Sequence, residues 1–106
     1  MNRHYSKYRA KPMVVDGIRF ASTKESNRYK ELKLLEKAGK IKDLDLQPPY
    51  EFYIKGNKVF TYKADFSYWD EFDNKRVEDV KGFRTPVYKL KKKIIEAYYS
   101  IKIEEV

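Results

Sequence analysis

The sequence predicts a single small α/β domain with a central mixed β-sheet flanked by helices. Three observations lead to that class. Strand-like alternation recurs at 59–69, 76–81 and 101–106, two helical stretches interrupt it, and the last strand-like run follows a helix that itself follows a strand. A strand, helix and strand in succession imply a right-handed parallel crossover, whereas the tight turns elsewhere imply antiparallel pairs. At 106 residues the chain can bury one core and has no room for a second.

Residues 1–12 carry Arg3, Lys7, Arg9 and Lys11 without any acid and read as a flexible basic arm. The folded domain is expected over 13–106. Met13 to Phe20 reads as two short strands joined at Asp16-Gly17, a dipeptide suited to positive φ in a two-residue hairpin turn. Ser22 is a good N-cap with Glu25 three residues on, and the helix it opens is expected to run from Thr23 to Ala38 and stop at Gly39. Tyr29, Leu32 and Leu35 form its core-facing stripe, which Glu25 and Arg28 extend toward the N-terminus.

Ile41 to Leu46 alternates as a strand, Gln47-Pro48-Pro49 interrupts it, and Tyr50 to Ile54 resumes it. Lys55 to Lys58 is a turn, so 50–54 and 59–69 are expected to form one hairpin. In its second strand Phe60, Tyr62, Ala64, Phe66 and Tyr68 share a core face, and Thr61, Lys63, Asp65 and Ser67 the other. An acidic turn, 70–75, leads into a strand at Arg76 to Lys81. Thr85 as N-cap and Pro86 at N1 start a second helix, expected to bury Val87, Leu90, Ile94, Ala97 and Tyr98. Ile101 to Val106 alternates as the last strand.

Charge narrows the partners. Twenty-four basic against sixteen acidic side chains leave +8, which favours a polyanion, with nucleic acid ahead of an acidic membrane surface. The plain alternative is a lysine-rich solvated surface. There is no cysteine, which excludes disulfides, thiolate metal sites and thiol nucleophiles. The one histidine, His4, lies in the arm, so histidine-based acid–base chemistry is not expected. No apolar run suits a signal peptide or a membrane span; a cytoplasmic protein without a membrane partner is expected.

Alternation along 76–82 sets Val77, Asp79 and Lys81 on one face and Arg76, Glu78 and Val80 on the other. Asp65 lies in the preceding strand-like run, fourteen residues before Asp79, where aspartate is uncommon. Two acids and a lysine on neighbouring strands suffice to hold a divalent cation against a phosphodiester. Mg²⁺ takes oxygen ligands and keeps several waters, so Asp65, Asp79 and the main-chain carbonyl of Val80 would anchor it, with Mn²⁺ as a substitute. Lys81 would orient the attacking water and stabilise developing negative charge. The plain alternative for Asp79-Val80-Lys81 is a solvated face with a weak ion pair.

The order of Glu25, Ala64-Asp65 and Asp79-Val80-Lys81 resembles the PD-(D/E)XK nuclease superfamily. The stretches Phe20 to Glu25, Leu46-Gln47-Pro48, Tyr62 to Phe66 and Val77 to Gly82 look like a group of small phage-encoded members. That resemblance implies a restriction-endonuclease-like core, with Asp65 and Asp79 as metal ligands and Lys81 as the catalytic lysine. It further implies Glu25 as the acid of the first helix, itself at the metal, and Gln47 as a polar residue beside it; otherwise Glu25 is a helix cap and Gln47 a strand-end residue. Lys89 matches a basic position directed at the phosphate. The chain departs from the motif in two places: Ala64 replaces its proline, and Asp79 stands where glutamate is commoner, with Glu78 beside it. Alternation turns Glu78 away from Lys81 and favours Asp79, although a β-bulge would exchange them.

Arg84, Tyr88, Lys89, Lys92 and Lys93, with Arg9 and Lys11 of the arm, are candidates for contacts to the DNA backbone, which position a duplex without reading its sequence. The expected activity is therefore that of a Mg²⁺-dependent DNA endonuclease selective for DNA structure. By analogy with single-domain resolvases that act as homodimers, branched or four-way (Holliday) junction DNA in phage recombination, inside a bacterial host, is the expected setting. The alternatives are a non-catalytic nucleic-acid-binding module with a nuclease-like fold, and a small phage regulator that binds a host protein through its tyrosine-rich surface.

Overall fold

The computed structural model describes residues 12–80 and 84–106. The hairpin β1 (Met13–Val15) and β2 (Ile18–Phe20) turns at Asp16 and Gly17, both at positive φ (54° and 75°). Helix α1 (Thr23–Lys37) follows, then β3 (Ile41–Leu46) and a second hairpin, β4 (Pro49–Ile54) and β5 (Asn57–Lys63), which turns at Lys55 and Gly56. Strands β6 (Phe66–Asp70) and β7 (Lys75–Asp79), helix α2 (Pro86–Tyr99) and strand β8 (Ile103–Glu105) complete the chain.

The central sheet has the order β3-β6-β7-β8. Its first three strands are antiparallel, and α2 connects β7 to a parallel β8. This is the expected mixed sheet. Register shows how its two faces differ. Phe66 lies opposite Glu78 and Tyr68 opposite Arg76 on one face, while Ser67 lies opposite Val77, and Val77 opposite Ile103, on the other. The first face packs Phe66 and Tyr68 with Tyr29 and Leu32 of α1, Phe20 and Ile41. The second packs Val77 and Ile103 with Ile95 of α2, Tyr62 and Ala64. Each helix thus covers its own face.

Residues 59–69 depart from the expected single strand. The chain breaks at Ala64-Asp65: β5 pairs with β4 in a separate ribbon, and β6 enters the central sheet. Tyr62, Ala64, Phe66 and Tyr68 are all buried, as the alternation predicts, but the break sends the first two to the α2 core and the last two to the α1 core. Ser67, expected on an open face, is buried because β6 is covered on both sides. Backbone pairing holds the break in place: the N–H of Ala64 donates to Pro48 O (3.2 Å), that of Asp65 to Glu78 O (3.0 Å), and that of Gln47 to Asp65 O (2.9 Å).

The expected face of α2 is also corrected. Ile95 is fully buried, whereas Val87 (60% exposed), Leu90 (59%) and Tyr98 (48%) lie outward. The helix is turned by its tyrosines and by Ile95: the Tyr88 ring lies 6.2 Å from that of Tyr62, and Tyr99 meets Tyr50 edge-on. On α1, Leu35 lies at the margin of the stripe and is exposed, and the buried line runs Glu25, Ser26, Tyr29 and Leu32.

Two predictions follow from this packing. Ile95→Ala is expected to cost about 2–5 kcal/mol, and Leu90→Ala within about 0.5 kcal/mol of nothing, in urea unfolding at unchanged m-value. The second concerns the β6–β7 turn, where Asp70 Oδ1 accepts the N–H groups of Asn74 and Phe72 (both 2.9 Å) and Oδ2 accepts from Arg76 (3.3 Å). The Asn74 bond first, then those of Phe72 and Arg76, hold the Asp70 carboxyl below its ordinary value against the opposing effect of desolvation. A carboxyl lowered in the folded state adds stability above its unfolded pKa and loses it as pH falls through the folded one. Asp70→Asn should therefore flatten the decline of the urea midpoint below the ordinary carboxylate range; an unchanged acid limb would exclude this contribution.

Candidate active site

One end of the central sheet gathers the residues singled out from the sequence. Leu46 of β3 lies opposite Phe66, and Phe66 opposite Glu78, so Gln47 after β3, Asp65 before β6 and Asp79-Val80 at the end of β7 come out at the same edge. The N-terminus of α1 meets them. Ser22 accepts the N–H of Glu25 (3.1 Å), half of the expected capping box, and Glu25 itself is buried. Glu25, Gln47 and Asp65 line one cleft of about 190 Å³ with Ile18, Arg19, Phe20 and Leu46. Gln47 sits at φ 52°, a left-handed conformation at the corner where the chain leaves the central sheet for the β4–β5 ribbon.

Asp65 and Asp79 interlock. The main-chain N–H of Asp65 donates to Asp79 Oδ1 (3.1 Å), and the N–H of Val80 donates to Asp65 Oδ2 (2.6 Å). Asp79 Oδ2 accepts from the hydroxyls of Tyr62 and Tyr88, the latter at 3.2 Å. The one Tyr88 hydroxyl proton is shared with Glu105 Oε2 (3.0 Å), and Arg84 Nε pairs with Glu105 Oε1 at 2.7 Å. Burial first, then the neighbouring charge of Asp79 and the bond to Glu105, push the Tyr88 hydroxyl well above its ordinary pKa, so it remains a donor.

Glu78 and Asp79 face opposite sides of β7 without a bulge between them, since register runs unbroken from Lys75 to Glu78. Glu78, on the α1 side, accepts two bonds from Arg28, Nε to Oε1 at 2.8 Å and Nη2 to Oε2 at 2.6 Å, and a third from the Tyr68 hydroxyl. The bond to Glu78 raises the Arg28 guanidinium above its ordinary pKa against the opposing effect of burial. Glu78 is thus fully engaged as the anchor of α1 to the sheet, which leaves Asp79 as the acid beside Asp65.

Lys81, Arg9 and Lys11 lie outside the described residues. Arg84, Lys89, Lys92 and Lys93 line a second cleft, of about 390 Å³, together with Glu96 and Glu105. Tyr88, expected among the contacts to DNA, is half-buried with its hydroxyl against Asp79 and Glu105. Among the described residues no three His, Asp or Glu side chains already form a cluster able to hold a metal ion. No helix of the described residues is long and apolar enough to cross a membrane.

Arg28, Tyr62, Tyr68 and Glu105 are the participants that sequence reasoning did not single out. Arg28 carried a signal, as a charged residue continuing a core-facing stripe. The tyrosines carried none, because in an apolar alternation they read as core.

A family model described as a protein of unknown function (DUF1064) matches residues 5–105. No curated protein and no solved structure matches the chain. Arg28→Ala, which strands a buried carboxylate at Glu78, is expected to cost about 3–5 kcal/mol in chemical unfolding, and a loss under about 1 kcal/mol would show that the pair does not hold α1 to the sheet.

Proposed function

We propose that this chain, which belongs to the DUF1064 family, is a divalent-metal-dependent DNA endonuclease of the PD-(D/E)XK type. The observation that carries the reading is the meeting of Asp65 with Asp79 at the sheet end where Glu25 and Gln47 share a cleft with Asp65. Glu25 and Asp79 are buried and Asp65 half-buried at this one sheet end. The donors there are oxygen only: the carboxylates of Asp65, Asp79 and Glu25, the amide oxygen of Gln47 and the carbonyl of Val80. Such a set fits Mg²⁺ or Mn²⁺, which take one or two carboxylates and complete their shell with water and substrate phosphate.

When bound, the cation would supply charge neutralisation at the scissile phosphate and a water of lowered pKa. The chain's own residues would do the rest. Asp65 and Asp79 anchor the site, Glu25 and Gln47 close its α1 side, and Lys81 stabilises negative charge as it develops and orients the attacking water. Arg84, Lys89, Lys92 and Lys93 would hold the phosphates of the flanking backbone, a contact that positions DNA without selecting a sequence. Preference for branched DNA suits so small a domain, and cutting both strands of a junction would require two copies. The outward Val87, Leu90 and Tyr98 of α2 offer a face for that pairing.

The test is cleavage of labelled duplex, single-stranded, flap and four-way-junction DNA with Mg²⁺, Mn²⁺ or EDTA. Metal-dependent cutting is expected, strongest on branched DNA, and reduced at least about 10²-fold by Asp65→Asn or Lys81→Ala with DNA binding retained. Salt-sensitive binding with no cutting under any divalent ion would instead establish a nucleic-acid-binding module on this fold.

A further inference from the structure

Asp79 is fully buried, and its two oxygens are treated differently. Oδ2 accepts from two hydroxyls that approach from separate elements, Tyr62 of β5 and Tyr88 of α2, whose rings stack at 29°. Oδ1 accepts from the N–H of Asp65 and so faces the other candidate ligand. The main-chain oxygen of Asp79 is held as well, by the N–H of Val106 at 2.9 Å. Tyr88 is itself braced: its hydroxyl also meets Glu105, which Arg84 holds in turn.

A carboxylate with one oxygen held by hydroxyls from two elements, one of them shared with Glu105, is restrained about its terminal torsion. Its other oxygen is thereby aimed. We infer that Tyr62 and Tyr88 are positioning residues for the cation site, holding Asp79 Oδ2 so that Oδ1 is presented beside Asp65. This inference rests on the nuclease reading above and adds to it two residues outside its ligand set. Neither tyrosine touches the metal or the DNA in this role. Ordering a ligating carboxylate from behind typically changes metal affinity 10–100-fold, whereas a hydroxyl that merely fills hydrogen-bonding capacity in a core changes stability alone.

The experiment is Mn²⁺ binding to the full chain, followed by water-proton relaxation, for wild type, Tyr62→Phe, Tyr88→Phe and the double variant. Thermal melting in EDTA is recorded beside it. Each single variant is expected to weaken Mn²⁺ binding by about 10–100-fold. The double variant should fall short of the product of the two, because both hydroxyls act on one oxygen. Cleavage lost at low Mg²⁺ should return at high Mg²⁺, which separates ligand positioning from damage to the fold. Unchanged Mn²⁺ affinity with a lowered melting temperature would overturn the inference while leaving the nuclease reading standing. Absence of Mn²⁺ binding in the wild type would overturn both. Should Tyr62→Phe fail to fold, Tyr88→Phe carries the test, since its ring is only half-buried.

Discussion

A strand that buries two consecutive carboxylates must find donors on both of its faces, and β7 does so with Glu78 and Asp79. Alternation sends them to opposite sides of the sheet, and each side answers with a different chemistry. Glu78 meets a bidentate guanidinium, Arg28 on α1, reinforced by the Tyr68 hydroxyl. Asp79 accepts from two hydroxyls and a peptide N–H. The first arrangement neutralises charge and ties a helix to the sheet. The second orients the carboxylate, which is what the proposed cation site would need. Each acid thereby also bonds one of the two helices, Glu78 to Arg28 of α1 and Asp79 to Tyr88 of α2.

The break at Ala64-Asp65 depends on the same strand. Asp65 N–H lies within reach of both the Glu78 carbonyl and the Asp79 carboxylate, and Asp65 Oδ2 accepts from Val80. A chain crossing from a peripheral ribbon into the central sheet would ordinarily leave backbone groups unpaired at the corner. Here the acids that gather at the site also satisfy the corner. The departure of β5 from the sheet and the convergence of Asp65 with Asp79 are therefore one structural event.

Much of the fold was legible because its signals are local. Asp16-Gly17 and Lys55-Gly56 turn where positive φ is required, Ser22 and Thr85 cap the two helices, and the parallel β8 follows from the helix that precedes it. The single long strand over 59–69 was not correctable from sequence, since a corner after an even number of residues preserves alternation while exchanging the core that each side chain enters. On α2 the apolar residues outnumber one face. Which of them is buried is decided by Tyr88 and Ile95 packing on partners distant in sequence, and a hydrophobic pattern contains no such information. Within the site, the acids stood out because strands seldom carry them. Tyr62 and Tyr88 did not, because their rings do belong to the core and only their hydroxyls serve the acid.

The distribution of charge would reconcile an acidic site with the proposed polyanionic partner. The sequence carries a net +8, while Glu78 and Asp79 are fully buried and Glu25 nearly so. Glu78 is offset by Arg28, Glu104 by Arg76 and Glu105 by Arg84. At about 8 Å of Debye length, a phosphate of the proposed DNA substrate would be attracted chiefly by nearby basic side chains such as those of the 390 Å³ cleft. A cation held by Asp65 and Asp79 would extend the positive surface inward instead of interrupting it. Long-range attraction by lysines and short-range repulsion by carboxylates then cease to conflict, and a domain of 106 residues can accommodate both.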